Sequence, residues 1–492
     1  MGYLGRNSPN NLGQILAYDT LLAAKHGTDV KYEDFVLQPA LAERWETPDA
    51  LTYTFHIRRG VKFANLAPVN GRELTADDIK WTYEYWSRLG QFKDKNLPVA
   101  QYGWFFEGMR SIEAPDPATV VIRFDQPFAP FINYTGSYWN PIVPHDIYDQ
   151  DGNLKNRMVG TGPFQLDTAA SQKGARWVFK KNSSYWNTGK PYIDEVEWVI
   201  VPDDSTAAAA FQSKQVDIIG ATGTMLDFNA AKAVKAANPA AVMYPYVTFG
   251  PLLFIYINNK AAPLNDARVR QAISLATDPD EFINTFAGGE GERTLAGAFP
   301  DTYSQQEIRQ LQRYDIAQAK QLLSAAGYAN GLDLEFIYNP AYGQLHVSGV
   351  QLFQAQLRKA GINVTLKSMD SVAVSNARAQ GKYSLTATPR TTALVGDVDS
   401  YAYANFHTGS ANNQSQVSDP KLDAVLEAQR RELDQAKRKE LVRQAVRTIV
   451  EQAYSIAIFR AASYQFWQPY LKGYAPNFGT LGAPQADTWL EK

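Results

Sequence analysis

No cysteine occurs anywhere in the 492 residues. That absence alone excludes thiol catalysis, disulfides, Cys-ligated zinc and iron–sulfur clusters. Long apolar runs are missing too. The longest, PLLFIYI at 251–257, falls far short of the ~20 residues a bilayer-spanning helix needs. The opening MGYLGRNSPNN has neither a charged n-region nor an apolar h-region, and Arg6 stands where an N-myristoylation pattern requires Ser or Thr. A soluble chain with no direct membrane insertion is the expectation. Charge of one sign is equally scarce: the formal net charge is −2, with no block of about five or six like charges. This composition argues against a nucleic-acid surface or an acidic tail.

Catalytic signatures are lacking as well. There is no G-x-x-x-x-G-K-[ST], no G-x-S-x-G and no H-E-x-x-H. The glycines of VGTGPF, Gly160 and Gly162, do not extend to G-x-G-x-x-G, because Gln165 takes the last position. DQDGN, Asp149 to Asn153, imitates the start of a calcium loop, but Gly160 stands where a bidentate Glu is required, so a turn is expected there. The histidines, His26, His56, His145, His346 and His407, show no pair at helical ligand spacing. No cofactor and no metal site is expected.

What is present is a long globular chain, 45% hydrophobic and 20% charged, which calls for two or three packed units. Aromatics reach 12%, compatible with an aromatic-lined cavity or simply with a large core. LTYTFHIRRGVKF alternates cleanly, with Tyr53, Phe55 and Ile57 on one face. Thr75 and Asp78 form a capping-box pattern before a helix through Ile79, Trp81 and Tyr85 to Gly90. Asn265 or Asp266, Asp315, Asp419-Pro420 and Asp434 each open a helical pattern. LDLEFIY, a helix through Leu352, Phe353 and Leu357, and INVTLKS read as a βαβ unit with parallel pairing.

One stretch invites a chemical question. In ALVGDVDSYAYANFHTG, Asp397 and Asp399 stand two residues apart. On an extended segment they would share a face with Cβ atoms about 6–7 Å apart. Tyr401 and Tyr403 alternate with alanines and would share a face in the same way. A solvated turn, a binding role and a catalytic carboxylate pair are the readings open at this point. Catalysis is disfavoured, since a glycosidase normally draws its acid and base from different elements.

Several segments, in order, resemble the family-5 extracellular solute-binding proteins of ABC importers, the peptide- and nickel-binding group. They are LAERWETPDALTYTFHIRRGVKF, RELTADDIKWTYE, VGTGPFQL, KKNSSYWNTGKPYIDEVEWVIVPDDSTAAAAFQSKQVDII, LNDARVRQAISLATDPDEFI, YDIAQAKQLLSAAGY and NNQSQVSDPKLDAVLEAQRRELDQAKRKELVRQ. The resemblance runs from about Tyr18 to Tyr474. It implies an α/β, two-lobed periplasmic-binding-protein (Venus-flytrap) fold with a ligand cleft between the lobes. Residues 1–251 would form lobe I, with an extra strand-rich subdomain at about 40–165. Residues 252–462 would form lobe II, and 463–492 would return to lobe I. The family usually begins with a G-G-x-L strand. Here only GRNSPNNLGQIL precedes the YDTL of Tyr18–Leu21, so that strand is expected to be missing or rebuilt.

The resemblance also assigns roles. An aspartate in a G-W-x-x-D-like segment grips the ligand's α-ammonium group in peptide binders of the family. GDVD makes Asp397 the first candidate and Asp399 the second. The expected tryptophan is replaced by TPRTTAL. Arg390 is a candidate for a ligand carboxylate or phosphate, or for a surface ion pair. Tyr138, Trp139 and Tyr401 are candidate pocket liners, or core. The expected function is an extracytoplasmic receptor, periplasmic or lipid-anchored, monomeric, that binds a peptide-like ligand, changes no bond and docks on the importer's permease subunits. An oligosaccharide receptor is the alternative within the family, and a hydrolase using Asp397 and Asp399 the alternative outside it.

Overall fold

Tyr53, Phe55 and Ile57 are buried and their neighbours half-exposed, as the alternation predicts. The computed structural model describes residues 2–5, 10–27, 29–31, 35–97, 102–201, 203–220, 226, 228–247, 251–299, 301–388, 396–477 and 486–491. Strand Thr52–Ile57 pairs antiparallel with Ala42–Asp49 and with Thr119–Phe124, which pairs in turn with Met109–Asp116. Helix Ala76–Ser87 packs on this four-stranded sheet. Its first turn is closed by Asp78, whose carboxylate accepts from the Thr75 N–H at 3.0 Å. It stops at Ser87, earlier than the pattern suggested, because Arg88 adopts a left-handed conformation that ends the ladder.

The chain divides into two compact units. Unit 1 comprises Met1–Tyr246 and Ser463–Lys492, and unit 2 comprises Val247–Ala462. The main sheet of unit 1 runs in the order Val242–Val247, Phe459–Trp467, Ile218–Ile219, Gly2–Gly5, Glu195–Ile200, Arg176–Lys181, Phe164–Leu166. The first strand is therefore not missing: Gly2–Gly5 lies parallel to Glu195–Ile200 and to Ile218. GYLG carries little of the hydrophobic alternation that marks a strand, and its place is set by the neighbours it pairs with. VGTGPF earns its glycines by close approach. A Cβ on Gly160 would sit 2.1 Å from the Ala17 carbonyl oxygen, and one on Gly162 would sit 2.6 Å from the Ala17 carbonyl carbon.

Unit 2 is built on a five-stranded sheet ordered Ile362–Ser368, Leu332–Tyr338, Leu385–Thr388, Phe254–Ile257, Ser455–Ala457. The first two strands are parallel and joined by helix Gln344–Lys359, the βαβ unit read from the sequence. Phe254–Ile257 is buried at every position, which is why it reads as a continuous apolar run. The helices open on aspartate caps: Asp266, Asp315, Asp419 and Asp434 each accept from a first-turn N–H. An exposed cap of this kind contributes about 1 kcal/mol. DQDGN departs from the turn expected of it. Asp149 to Asp151 close helix His145–Asp151, and Gly152 ends it in the left-handed region.

Candidate functional site

The Asp397–Phe406 segment is not extended. Asp397 accepts from the Asp399 N–H at 2.9 Å, which starts a tight turn over Val398–Ser400 and then a short helix, Ala402–Phe406. Residues two apart on a helical path diverge by about 200°, so the rings of Tyr401 and Tyr403 do not share a face, and the two carboxylates meet different arginines. Asp397 is 4% exposed and receives both arms of the Arg438 guanidinium, at 2.9 and 2.6 Å. Asp399 is fully buried, with Gln429 Nε2 on one oxygen and Arg430 Nε 3.2 Å from the other. The Arg430 guanidinium lies 3.7 Å from the centroid of the Tyr403 ring, and that ring stacks on His407 at 4.3 Å. Tyr401, 1% exposed, packs toward Phe254 at 6.3 Å. The arginines come from helices Pro420–Arg431 and Gln435–Glu451, so each carboxylate is matched by a cation from the late helical pair.

The other sequence candidates lie elsewhere. Arg390 falls outside the described residues. Tyr138 lines a cavity of about 380 Å³ in unit 1. Trp139 packs on Tyr138 and Tyr102, with ring centroids 4.9 and 5.0 Å away. Asp78, His145 and Asp146 come within 4.8 Å of one another, as metal ligands would. A cation already serves two of them: Arg72 reaches Asp78 at 2.9 and 2.6 Å and Asp146 at 3.0 Å.

A second group of residues, not singled out from the sequence, has unmet chemistry. Arg378, on helix Ser371–Ala379, is 7% exposed, and no hydrogen bond or ion pair from a described residue reaches its guanidinium. Its guanidinium carbon lies 5.6 Å from the centroid of the Tyr256 ring. His346, 1% exposed, has both ring nitrogens buried without a partner, and the Tyr342 ring meets it edge-on at 5.1 Å. Burial, reinforced by the Arg378 charge, pushes its pKa down to about 4, so the imidazole is neutral near pH 7. The Thr386 hydroxyl is likewise buried and unpartnered. Burial raises the Tyr383 and Tyr256 phenols, keeping both protonated.

These groups sit where the fold favours binding. His346 is in the first turn of the helix that follows strand Leu332–Tyr338, and Thr386 lies beside Ile337 in the parallel register. The carboxyl ends of parallel strands are where open α/β sheets place ligands. A signal was available in the sequence. His346, Val350, Phe353 and Leu357 share the buried face of one helix, and Val374 and Arg378 that of another. A histidine and an arginine thus occupy positions that the helical period assigns to apolar side chains.

Two α/β units, the second inserted between residues 1–246 and 463–492 of the first, define the class of two-lobed solute-binding proteins. Solved structures of that class match over the whole chain. A periplasmic binding protein, DppA from Helicobacter pylori in complex with the peptide STSA, superimposes with a TM-score of 0.83 at 24% identity, covering 100% of this chain and 98% of that one. AgaA from A. tumefaciens R10, in complex with agropinic acid, gives 0.82 at 25% identity, covering 100% and 98%. The chain belongs to the bacterial extracellular solute-binding proteins, family 5, whose middle region matches residues 36–413. Among curated relatives, heme-binding protein A of Haemophilus influenzae is 27% identical over 94% of this chain and 84% of its own length. The dipeptide-binding protein of Escherichia coli K12 is 27% identical over 89% and 83%. These relatives are binding proteins, and among the described residues no helix is long and apolar enough to cross a membrane.

Proposed function

We propose that this protein is the extracytoplasmic receptor of an ABC importer for a peptide-like solute bearing a free carboxylate, which it binds without chemical change. The observation that carries the reading is Arg378, a guanidinium 7% exposed with no ion pair or hydrogen bond among the described residues. Leaving a charge buried and unpaired costs several kcal/mol, a cost a ligand carboxylate would offset through two parallel charge-assisted hydrogen bonds. His346 and Thr386 are unpartnered neutral groups of the same unit. Relatives and structural neighbours bind dipeptides and a tetrapeptide, which favours peptide over sugar. Binding without turnover is supported by the state of Asp397 and Asp399. Each is buried against an arginine, so neither is placed to hand a proton to a substrate. In this reading they fix the Gly396–Phe406 segment of unit 2.

Native mass spectrometry of the purified protein, followed by denaturation, tests the class: peptides should be released, and a saccharide would overturn the peptide reading. With a released peptide resynthesised, titration calorimetry tests the residue. Arg378→Met should weaken binding at least about 100-fold, the scale of a lost charged contact, and should equal the effect of amidating the peptide's C-terminus. Unchanged affinity in Arg378→Met would remove the carboxylate from this site.

A further inference from the structure

Unit 2 carries a cleft of its own, lined by Arg293, Arg309, Arg313, Tyr314 and Asp315. Its volume is about 320 Å³, near the lower end of the ~300–1,000 Å³ typical of small-molecule pockets. The three arginines are not equally engaged. Arg293, 8% exposed, is fully occupied: Nε and Nη2 each reach an oxygen of Asp280 at 2.8 Å, and Nη1 donates to the Gln312 carbonyl at 2.7 Å. Arg309 uses Nη1 alone, 3.1 and 2.8 Å from the same two oxygens, and its Nε and Nη2 bond no described residue. Arg313 donates from Nη2 to the Gln318 side-chain oxygen at 3.1 Å, and its Nε and Nη1 bond no described residue.

The carboxylates beside these cations do not balance them. Asp280 is shared by two guanidinium groups, and its hydrogen bonds from Arg293 and, next, Arg309 hold its carboxyl at about 2 against the opposing effect of burial. It stays ionised, but its single charge is already divided. Asp315 serves its own helix, Ile316–Ala325: Oδ1 accepts from the Gln318 N–H at 2.8 Å, where the helix N-terminus supplies a matching partial positive charge. Arg313 has no carboxylate partner among the described residues. Three guanidinium groups thus face two carboxylates, and the surplus charge lies on the two arginines whose donors are idle.

We infer that this cleft is a binding site for a phosphate group, free or carried as a phosphomonoester. A guanidinium holds an oxyanion best through two parallel N–H···O bonds, and the Nε–Nη2 side of Arg309 is an open fork of that kind. A monocarboxylate has two oxygens and one charge, enough for a single fork. A phosphate group brings at least three acceptor oxygens and about two charges, enough for Arg309 and Arg313 together. The cleft includes none of the residues grouped around Arg378, and the inference does not rest on the peptide reading.

The test is a calorimetric titration of the full chain at constant ionic strength and about pH 8, where phosphate is mostly a dianion. The probes are sodium phosphate, glycerol 3-phosphate and sodium acetate. A phosphate probe should saturate at one per chain, and acetate should bind at least about 10-fold more weakly. Tighter binding of glycerol 3-phosphate assigns the cleft to phosphomonoesters, and tighter binding of the inorganic ion assigns it to free phosphate. Arg309 and Arg313 are exposed, so Arg309→Gln and Arg313→Gln should keep the fold. Each should weaken phosphate at least about 10-fold, the scale of a lost charged hydrogen bond. Arg358→Gln, which removes an exposed charge at the end of helix Gln344–Lys359, should leave it unchanged. Equal binding of acetate would overturn the inference, as would no saturation by either phosphate, or equal losses in all three variants. A failed peptide titration with intact phosphate binding would sink only the receptor reading above.

Discussion

Replacing Asp397 by alanine should damage unit 2 far more than it damages ligand binding. The carboxylate is 4% exposed and takes two bonds from Arg438, itself 7% exposed. Removing one partner leaves the other charge buried and unpaired, which costs about 3–5 kcal/mol. The lost bond to the Asp399 N–H adds about 1 kcal/mol. Arg438→Met should cost a similar amount alone. The pair should cost clearly less than the sum, with a coupling of at least about 2 kcal/mol, because the double variant leaves no orphan charge. The assay benefits from an asymmetry: all ten tryptophans lie in unit 1. Tryptophan fluorescence therefore follows unit 1, while far-UV circular dichroism follows both units. In Asp397→Ala the dichroism transition should gain an early step about 10 °C or more below the fluorescence transition, given about 2–4 °C per kcal/mol for a unit of this size. A coupling near zero, or ligand binding lost with stability intact, would refute the reasoning and make Asp397 a ligand contact.

His346 binds its proton more readily in the unfolded chain, where its pKa is 6.5, than in the fold, where it is about 4. Its contribution to stability is therefore complete above pH 6.5 and is lost as the pH falls toward 4, by about 3 kcal/mol in all. Denaturant titrations of wild-type and His346→Phe across that window should show the variant lacking this part of the acid slope, and parallel curves would count against it. Gly160→Ala drives a methyl group onto the Ala17 carbonyl oxygen, 2.1 Å from the new Cβ. It should destabilise unit 1 by about 1–3 kcal/mol or more, read by tryptophan fluorescence, and a wild-type transition would show that the backbone relaxes freely.

Elements governed by local rules could be read from the sequence, and those governed by distant partners could not. The alternation at Tyr53–Ile57, the aspartate caps and the parallel pair Leu332–Tyr338 with Ile362–Ser368 all follow from spacing within a few residues. Gly2–Gly5 carries no such spacing, and its strand exists because residues about 200 positions later flank it. The same contrast explains the candidate site. Asp397 and Asp399 are conspicuous as a pair, but the groups that decide their role, Gln429, Arg430 and Arg438, lie 30 to 41 residues downstream. Arg378 and His346 are inconspicuous in composition and become visible only when placed on the buried face of their helices.

The strand Phe459–Trp467 sits between Ile218–Ile219 and Val242–Val247 in the unit 1 sheet, although nearly all of unit 2 is encoded between Val247 and Phe459. During synthesis, then, unit 1 waits with a slot in its sheet while the ribosome makes the insertion, on the order of 10–40 s at usual elongation rates. Two unpaired strand edges stay available to other chains for that time. Translation of Phe459–Trp467 is what closes them, so a message cut short before that strand would yield not merely a shorter protein but one with an open, adhesive sheet.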